Sequence, residues 1–229
     1  MAPPLTPEPA PGLHEDPTYR QVTFVVIDFE TTTPTGHRPE PVDVAVIVLR
    51  TDVDRLVETD RYTALIRPPD HAPLTPFDTA QTGISPAMLA DRPPAAQILA
   101  ELDARLGPHL RDAALLVAHN APTEAGLLFD RREHCPQLAT TNLLDTVRLA
   151  RVAYPDLPSH RLDVLIHHLK LTHPPDRHRA MPDVQITAQV FGRLLRDGHQ
   201  TGCWSSLRDL RRHGEYQAKA ARPEQTSLF

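Results

Sequence analysis

The run Phe24-Val25-Val26-Ile27-Asp28-Phe29-Glu30 constrains this chain more than any other segment. It is strand-like and apolar, and it ends in two carboxylates. On a strand, residues two apart face the same side. Asp28 and Glu30 therefore present their acids together, and such a pair repels unless a cation sits between them. Hard divalent ions favour oxygen ligands of this kind. An acid at a strand end also has an ordinary reading, as a solvated turn residue.

Two further acids stand in comparable places. Glu124 follows a second apolar run, Ala113 to Ala118, through His119-Asn120-Ala121-Pro122-Thr123. Pro122 suits a first helical turn, and Glu124 shares a helix side with Leu127 and Leu128. His178 stands five residues before Asp183, which lies on one helical stripe with Ile186, Val190 and Leu194. A buried, unpaired carboxylate is costly. A metal, a hydrogen-bonding partner or a helix N-terminus removes that cost. Asp145, before Thr146, reads either as a supplementary acid or as a helix N-cap. Four carboxylates and a histidine on separate elements are what a two-metal phosphodiesterase needs.

The 229 residues suffice for one domain with a core plus tails. No run of about 18 apolar residues predicts a membrane span. Residues 1–20, rich in proline and acid, lack the basic start and apolar stretch of a secretory signal and read as a disordered tail. Two cysteines, Cys135 and Cys203, make no disulfide framework, so a reducing, cytoplasmic location is expected. The net charge of -5 gives no basic footprint of a nucleic-acid binder, although a metal-binding enzyme must carry acids. The thirteen histidines come without a zinc-type motif.

Strand signals fall at 22–28, 42–49 and about 57–66, spaced as an antiparallel meander. A proline-rich linker, Arg67 to Pro76, follows. Helical spacing covers Ala95 to Leu106, the segment from Pro122, Leu162 to Leu169 and Pro182 to Leu195. Short strands are expected at Ala113–Ala118 and Thr141–Leu144, and the pattern weakens after Asp197, with a partial helix between Trp204 and Ala221. The fold class is α/β. Residues 21–197 are expected to form the domain and 198–229 an extension.

Several motifs occur in a family's order. Asp28-Phe29-Glu30-Thr31-Thr32 resembles the first motif of the DnaQ-like, or DEDDh, 3′–5′ exonucleases, whose best-known member is a bacterial proofreading subunit. Thr82 to Leu89 resembles the family's Gly-Ile-Thr/Ser segment. His119 to Glu124 resembles its second motif, Asp145 to Arg151 its Asp-Thr-Leu-x-Leu-Ala-Arg run, and His178-x-x-x-x-Asp183 its third motif. The resemblance covers residues 21–197. It implies an RNase H-like fold, a mixed sheet flanked by helices. It also implies two Mg²⁺ or Mn²⁺ ions on Asp28, Glu30, Glu124 and Asp183, with His178 as general base. Thr31, Thr32, His119 and Asn120 would contact the substrate, the 3′ end of single-stranded DNA or, alternatively, RNA. One position departs: where the family has Phe-Asp, this chain has Thr123-Glu124, one methylene longer. That departure keeps a second reading open, a non-catalytic binding module on the same fold.

The sequence ends Gln225-Thr226-Ser227-Leu228-Phe229. This resembles the Gln-x-x-Leu-Phe peptide by which bacterial replication and repair proteins bind the sliding clamp. Gln225 would set the register, and Leu228 and Phe229 would fill an apolar groove.

Overall fold

The computed structural model describes residues 12–53, 55–173 and 178–221. Among them, one mixed sheet contains β1 (Thr23–Thr31), β2 (Pro41–Asp52), β3 (Arg55–Leu65), β4 (Ala114–Ala118), β5 (Leu143–Asp145) and β6 (Glu215–Tyr216). Its order is β3-β2-β1-β4-β5-β6. The first three strands form the expected antiparallel meander. β4 and β5 add in parallel beyond β1, and β6 closes the far edge antiparallel to β5. The helices in chain order are α1 (Pro17–Gln21), α2 (Pro76–Thr82), α3 (Pro86–Leu89), α4 (Ala95–Leu110), α5 (Pro122–Asp130), α6 (Pro136–Thr140), α7 (Thr146–Ala153), α8 (Leu162–His168), α9 (Ala180–Gln200) and α10 (Leu207–Gly214).

The sheet is covered on both faces, which is why β1 and β2 read as unbroken apolar runs rather than alternating ones. Phe24 and Val26 of β1, with Ala45, Ile47 and Leu49 of β2, pack into one cluster with α7, α8, α9 and α10. Val25, Ile27 and Phe29, with Val44, Val46 and Val48, pack into a second cluster with α4, α5 and α6. This division positions the site. Asp28 and Glu30 continue the alternation of Phe24 and Val26, and so face the α9 side. Glu124 belongs to α5, in the opposite layer.

The expected tail at residues 1–20 is corrected where it is described. Residues 12–21 form a turn and helix α1, with Leu13 and Tyr19 fully buried. Asp16 caps α1 by accepting from the Thr18 N–H at 2.8 Å and accepts from the Leu207 N–H at 2.7 Å. That second bond ties the segment to α10. The boundary at residue 197 is corrected as well, because α9 runs on to Gln200 and residues 203–218 pack back on the domain. Trp204 is buried, with its indole N–H donating to the Leu195 carbonyl at 3.1 Å. Its ring lies over Gly198, where an added Cβ would sit 2.0 Å from Cζ2. Polar and charged residues interrupt the apolar periodicity here, so the weak pattern hid a packed segment.

Helices α2 and α3 lie in and after the proline-rich stretch. Thr75 and Asp78 form a reciprocal capping box with Pro76 in the first turn, and Gly83 ends α2 at φ 69°. No helix among the described residues is long and apolar enough to cross a membrane.

Candidate active site

Parallel pairing places the ends of β1, β4 and β5 on one edge of the sheet. In open α/β sheets, that carboxyl edge is where ligands bind. Asp28 and Glu30 end β1, the loop from β4 carries His119 and Asn120, and Asp145 ends β5. Helix α9 crosses the β1–β2 face and presents Asp183 from its first turn. One ligand atom from each of Asp28, Glu30 and Asp183 lies within 4.8 Å of the others. Two of these groups are half-buried, and Asp183 is buried at 8% exposure. Three carboxylates this close repel strongly unless a cation joins them. Their oxygen-only chemistry and spacing fit a hard divalent ion.

Glu124 stands outside this group. It is 3% exposed, and its Oε2 is buried with no hydrogen-bond partner. Burial pushes its carboxyl up to about 8. A hydrogen bond to its own backbone N–H opposes the rise, and the nearby Asp145 carboxylate adds to it. The physical reason is the layer: Glu124 enters from α5, whereas the three gathered acids face α9.

Asp145 is the N-cap of α7, accepting from the Val147 N–H at 2.9 Å. It also accepts from the Asn120 N–H at 3.3 Å. Asn120 adopts φ 75°, a left-handed conformation that asparagine tolerates, and its amide donates to Thr123 Oγ1 at 2.9 Å. His119 Nδ1 and Thr146 Oγ1 are 2.9 Å apart. His119 and Asn120 thus shape the β4–α5 turn while lining a cleft of 570 Å³ that His178 also lines. His178 is half-buried at φ 67°.

The two threonines differ. Thr31 is half-buried at a register shift in the β1–β2 pairing. Thr32 is fully buried; its Oγ1 accepts from the Glu40 N–H at 3.2 Å, and its own N–H donates to the Glu40 carbonyl at 2.8 Å. The Thr32 hydroxyl expected to meet substrate therefore holds the turn. Thr33 donates to Asp78 Oδ1 at 2.6 Å, fixing α2 beside the end of β1. Gln225, Leu228 and Phe229 lie outside the described residues.

Asp43 was not among the acids expected at the site. Asp43 of β2 pairs directly with Glu30 and is 2% exposed. Its Oδ2 accepts from Arg179 Nε at 2.9 Å and from the Ala180 N–H at 3.3 Å. Burial raises the Asp43 carboxyl above its usual range, and Arg179 opposes that rise. An acid inside the apolar run Val42-Asp43-Val44 was the available signal.

The RNase_T exonuclease family model matches residues 25–191. The chain is 34% identical over 200 residues to a DNA polymerase III subunit epsilon-like protein of Rhodobacter capsulatus, covering 85% of this chain and 27% of that protein. It is 30% identical over 194 residues to the 3′-5′ exonuclease DinG of Bacillus subtilis, covering 84% of this chain and 20% of that protein. The chain thus spans about a quarter and a fifth of these relatives. The nuclease domain of 3′hExo, a DEDDh family member bound to rAMP, superposes with a TM-score of 0.64 at 18% identity, over 82% of this chain and 96% of that one. This likeness shows the RNase H-like exonuclease fold expected from the motifs. On the family match, the fold and the gathered acids, the chain belongs to the DnaQ-like, DEDDh exonuclease family of nuclease hydrolases.

Proposed function

We propose that this chain is a divalent-metal-dependent 3′–5′ exonuclease that removes nucleotides from single-stranded or frayed DNA ends. The observation that carries the reading is the approach of Asp28, Glu30 and Asp183 to within 4.8 Å of one another. Asp28, Glu30 and Asp183 would hold one Mg²⁺ or Mn²⁺ ion, and Glu124 would complete the set for a second. Ions bound there supply Lewis acidity toward the phosphate and lower the pKa of bound water.

The chain's own residues do the rest. His178 takes the proton of the attacking water as its oxygen bonds to phosphorus. The bond from phosphorus to the 3′-oxygen of the preceding nucleotide then breaks. Imidazole suits proton transfer near neutral pH. Asp43 and Arg179 hold the backbone that follows His178. Thr31 and the cleft residues His119 and Asn120 orient the strand.

DNA is preferred over RNA because the relative with the highest identity quoted above is named for a DNA polymerase. The solved relative bound to rAMP keeps an exoribonuclease as the alternative substrate class. Proofreading and end trimming in repair both use this reaction. The peptide Gln225 to Phe229 would tether the enzyme to the sliding clamp. Deleting it should abolish clamp binding and leave oligonucleotide hydrolysis intact.

The burial of Glu124 favours one second reading: a binding module that holds a strand without cutting it. Digestion of a 5′-labelled DNA oligonucleotide with Mg²⁺, Mn²⁺ or EDTA separates the two. A metal-dependent ladder shortening from the 3′ end supports the enzyme. Products from Glu124→Asp but not from the wild type mean a site disabled at one ligand. None from either, on DNA or matching RNA, leaves the binding module.

A further inference from the structure

The 570 Å³ cleft that His119, Asn120 and His178 line continues against the last turn of α7 and the start of α8. Its wall there includes Arg151, His160 and Arg161. Both arginines are exposed, and neither guanidinium has a hydrogen-bond or ion-pair partner among the described residues. Elsewhere Arg61, Arg105, Arg131, Arg179, Arg196 and Arg211 meet carboxylates, whereas these two leave their charge open to the cleft. The carboxylate lining the cleft, Asp163, already has an interaction within the protein. His160 is fixed by its Nε2 on the Tyr154 carbonyl at 2.9 Å. On a chain of net charge -5, the cleft beside the catalytic group is thus a local cationic wall.

We infer that Arg151 and Arg161 bind the phosphates of the substrate strand on the 5′ side of the scissile bond, making this cleft the channel for the uncut strand. The polarity follows from the chemistry of a 3′ end and rests on the nuclease reading above. The terminal nucleotide carries one phosphodiester, the scissile one, and then only its 3′-hydroxyl. Every further phosphate lies upstream. Cations placed to meet phosphates beyond the scissile one must therefore face the upstream strand. Guanidinium groups suit this task, with several donors in a fixed fork and a charge that never titrates. Such contacts recognise the backbone without reading bases, as expected of an enzyme that digests any sequence.

The test uses the full chain and its Arg151→Ala/Arg161→Ala variant. Anisotropy of a 5′-labelled 12-nucleotide DNA is measured in EDTA over a salt series, and hydrolysis with Mn²⁺ is compared between the 12-mer and the dinucleotide d(TpT). The 12-mer has upstream phosphates; the dinucleotide has only the scissile one. The variant should bind the 12-mer about tenfold more weakly. Its slope of log affinity against log salt should be shallower by about 0.7 per arginine removed. The ratio of kcat/KM for the 12-mer to that for d(TpT) should fall about tenfold, and Arg→Lys at both positions should restore part of it.

Unchanged affinity and salt slope overturn the inference. So does an equal loss on the two substrates, which would place the arginines at the scissile phosphate or in the fold. Because both side chains are exposed, a melt matching the wild type is expected and checks that the variant folds. Binding needs no cleavage, so a wild type that binds through these arginines but cuts nothing sinks the enzyme reading alone.

Discussion

Asp43 accepts from Arg179 Nε at 2.9 Å, joining the strand that pairs with Glu30 to the residue that follows His178. Asp43 lies opposite Glu30 on β2, and Arg179 is the N-cap of α9, four residues before Asp183. One half-buried ion pair thus sets the position of the third-motif segment against the first-motif strand. The same carboxylate accepts from the Ala180 N–H, satisfying a donor of the first turn of α9.

Asp43→Asn should lower stability by about 2 kcal/mol, because it removes the charge opposite Arg179 while keeping the shape. It should also lower kcat more than it raises KM, since the His178 backbone loses its anchor. Urea titration and steady-state kinetics check both effects. A variant as stable and as fast as the wild type would show that the pair positions nothing.

Asp28→Ala and Asp183→Ala should each abolish detectable hydrolysis and leave the far-ultraviolet spectrum unchanged. A ligand that binds only the folded state raises Tm. Mn²⁺ should therefore raise the Tm of the wild type relative to EDTA and raise it less in either variant. An active Asp28→Ala enzyme would contradict the site.

His178→Ala should cut the rate by about 10²–10⁴ while the Mn²⁺-dependent rise in Tm persists. Loss of that rise would mean that the imidazole is a metal ligand rather than a base.

Glu124 predicts a pH dependence with a definite sign. Its folded pKa, about 8, lies above the ordinary value of 4.5, so the folded state holds a proton that the unfolded chain releases. Stability from this group is full below about pH 4.5 and falls as pH rises from there through 8. In EDTA, unfolding free energy should decline over that window, and Glu124→Gln should flatten the decline. Parallel curves for the two proteins would mean that the carboxyl is solvated or paired.

Gly198→Ala should destabilise by about 2 kcal/mol or more, because the new methyl would collide with the fully packed Trp204 ring. A melt unchanged by this substitution would mean that residues 198–221 are not part of the cooperative unit.

The α/β class, the meander of β1 to β3, and which acids belong to the strand and the long helix were all legible in the residue order. Those follow from local rules: apolar runs too long for a loop, a period of two that aligns Asp28 with Glu30, and a period of 3.6 that puts Asp183 on the buried stripe of α9. The motif order also identified the family. Tertiary structure decided what local rules cannot reach. The sheet order set the layers, and the layers brought Asp183 to Asp28 and Glu30 while burying Glu124 from the other side. The Asp43–Arg179 pair spans more than a hundred residues of sequence, so no periodicity announces it. Thr32, written in the motif as a substrate contact, was claimed by the backbone of Glu40 once the chain turned. Residues 12–21 and 198–218 became part of the core because the first packs on β2, the second packs on α7 and β5, and the Asp16–Leu207 hydrogen bond ties them together, a gain that neither segment shows alone.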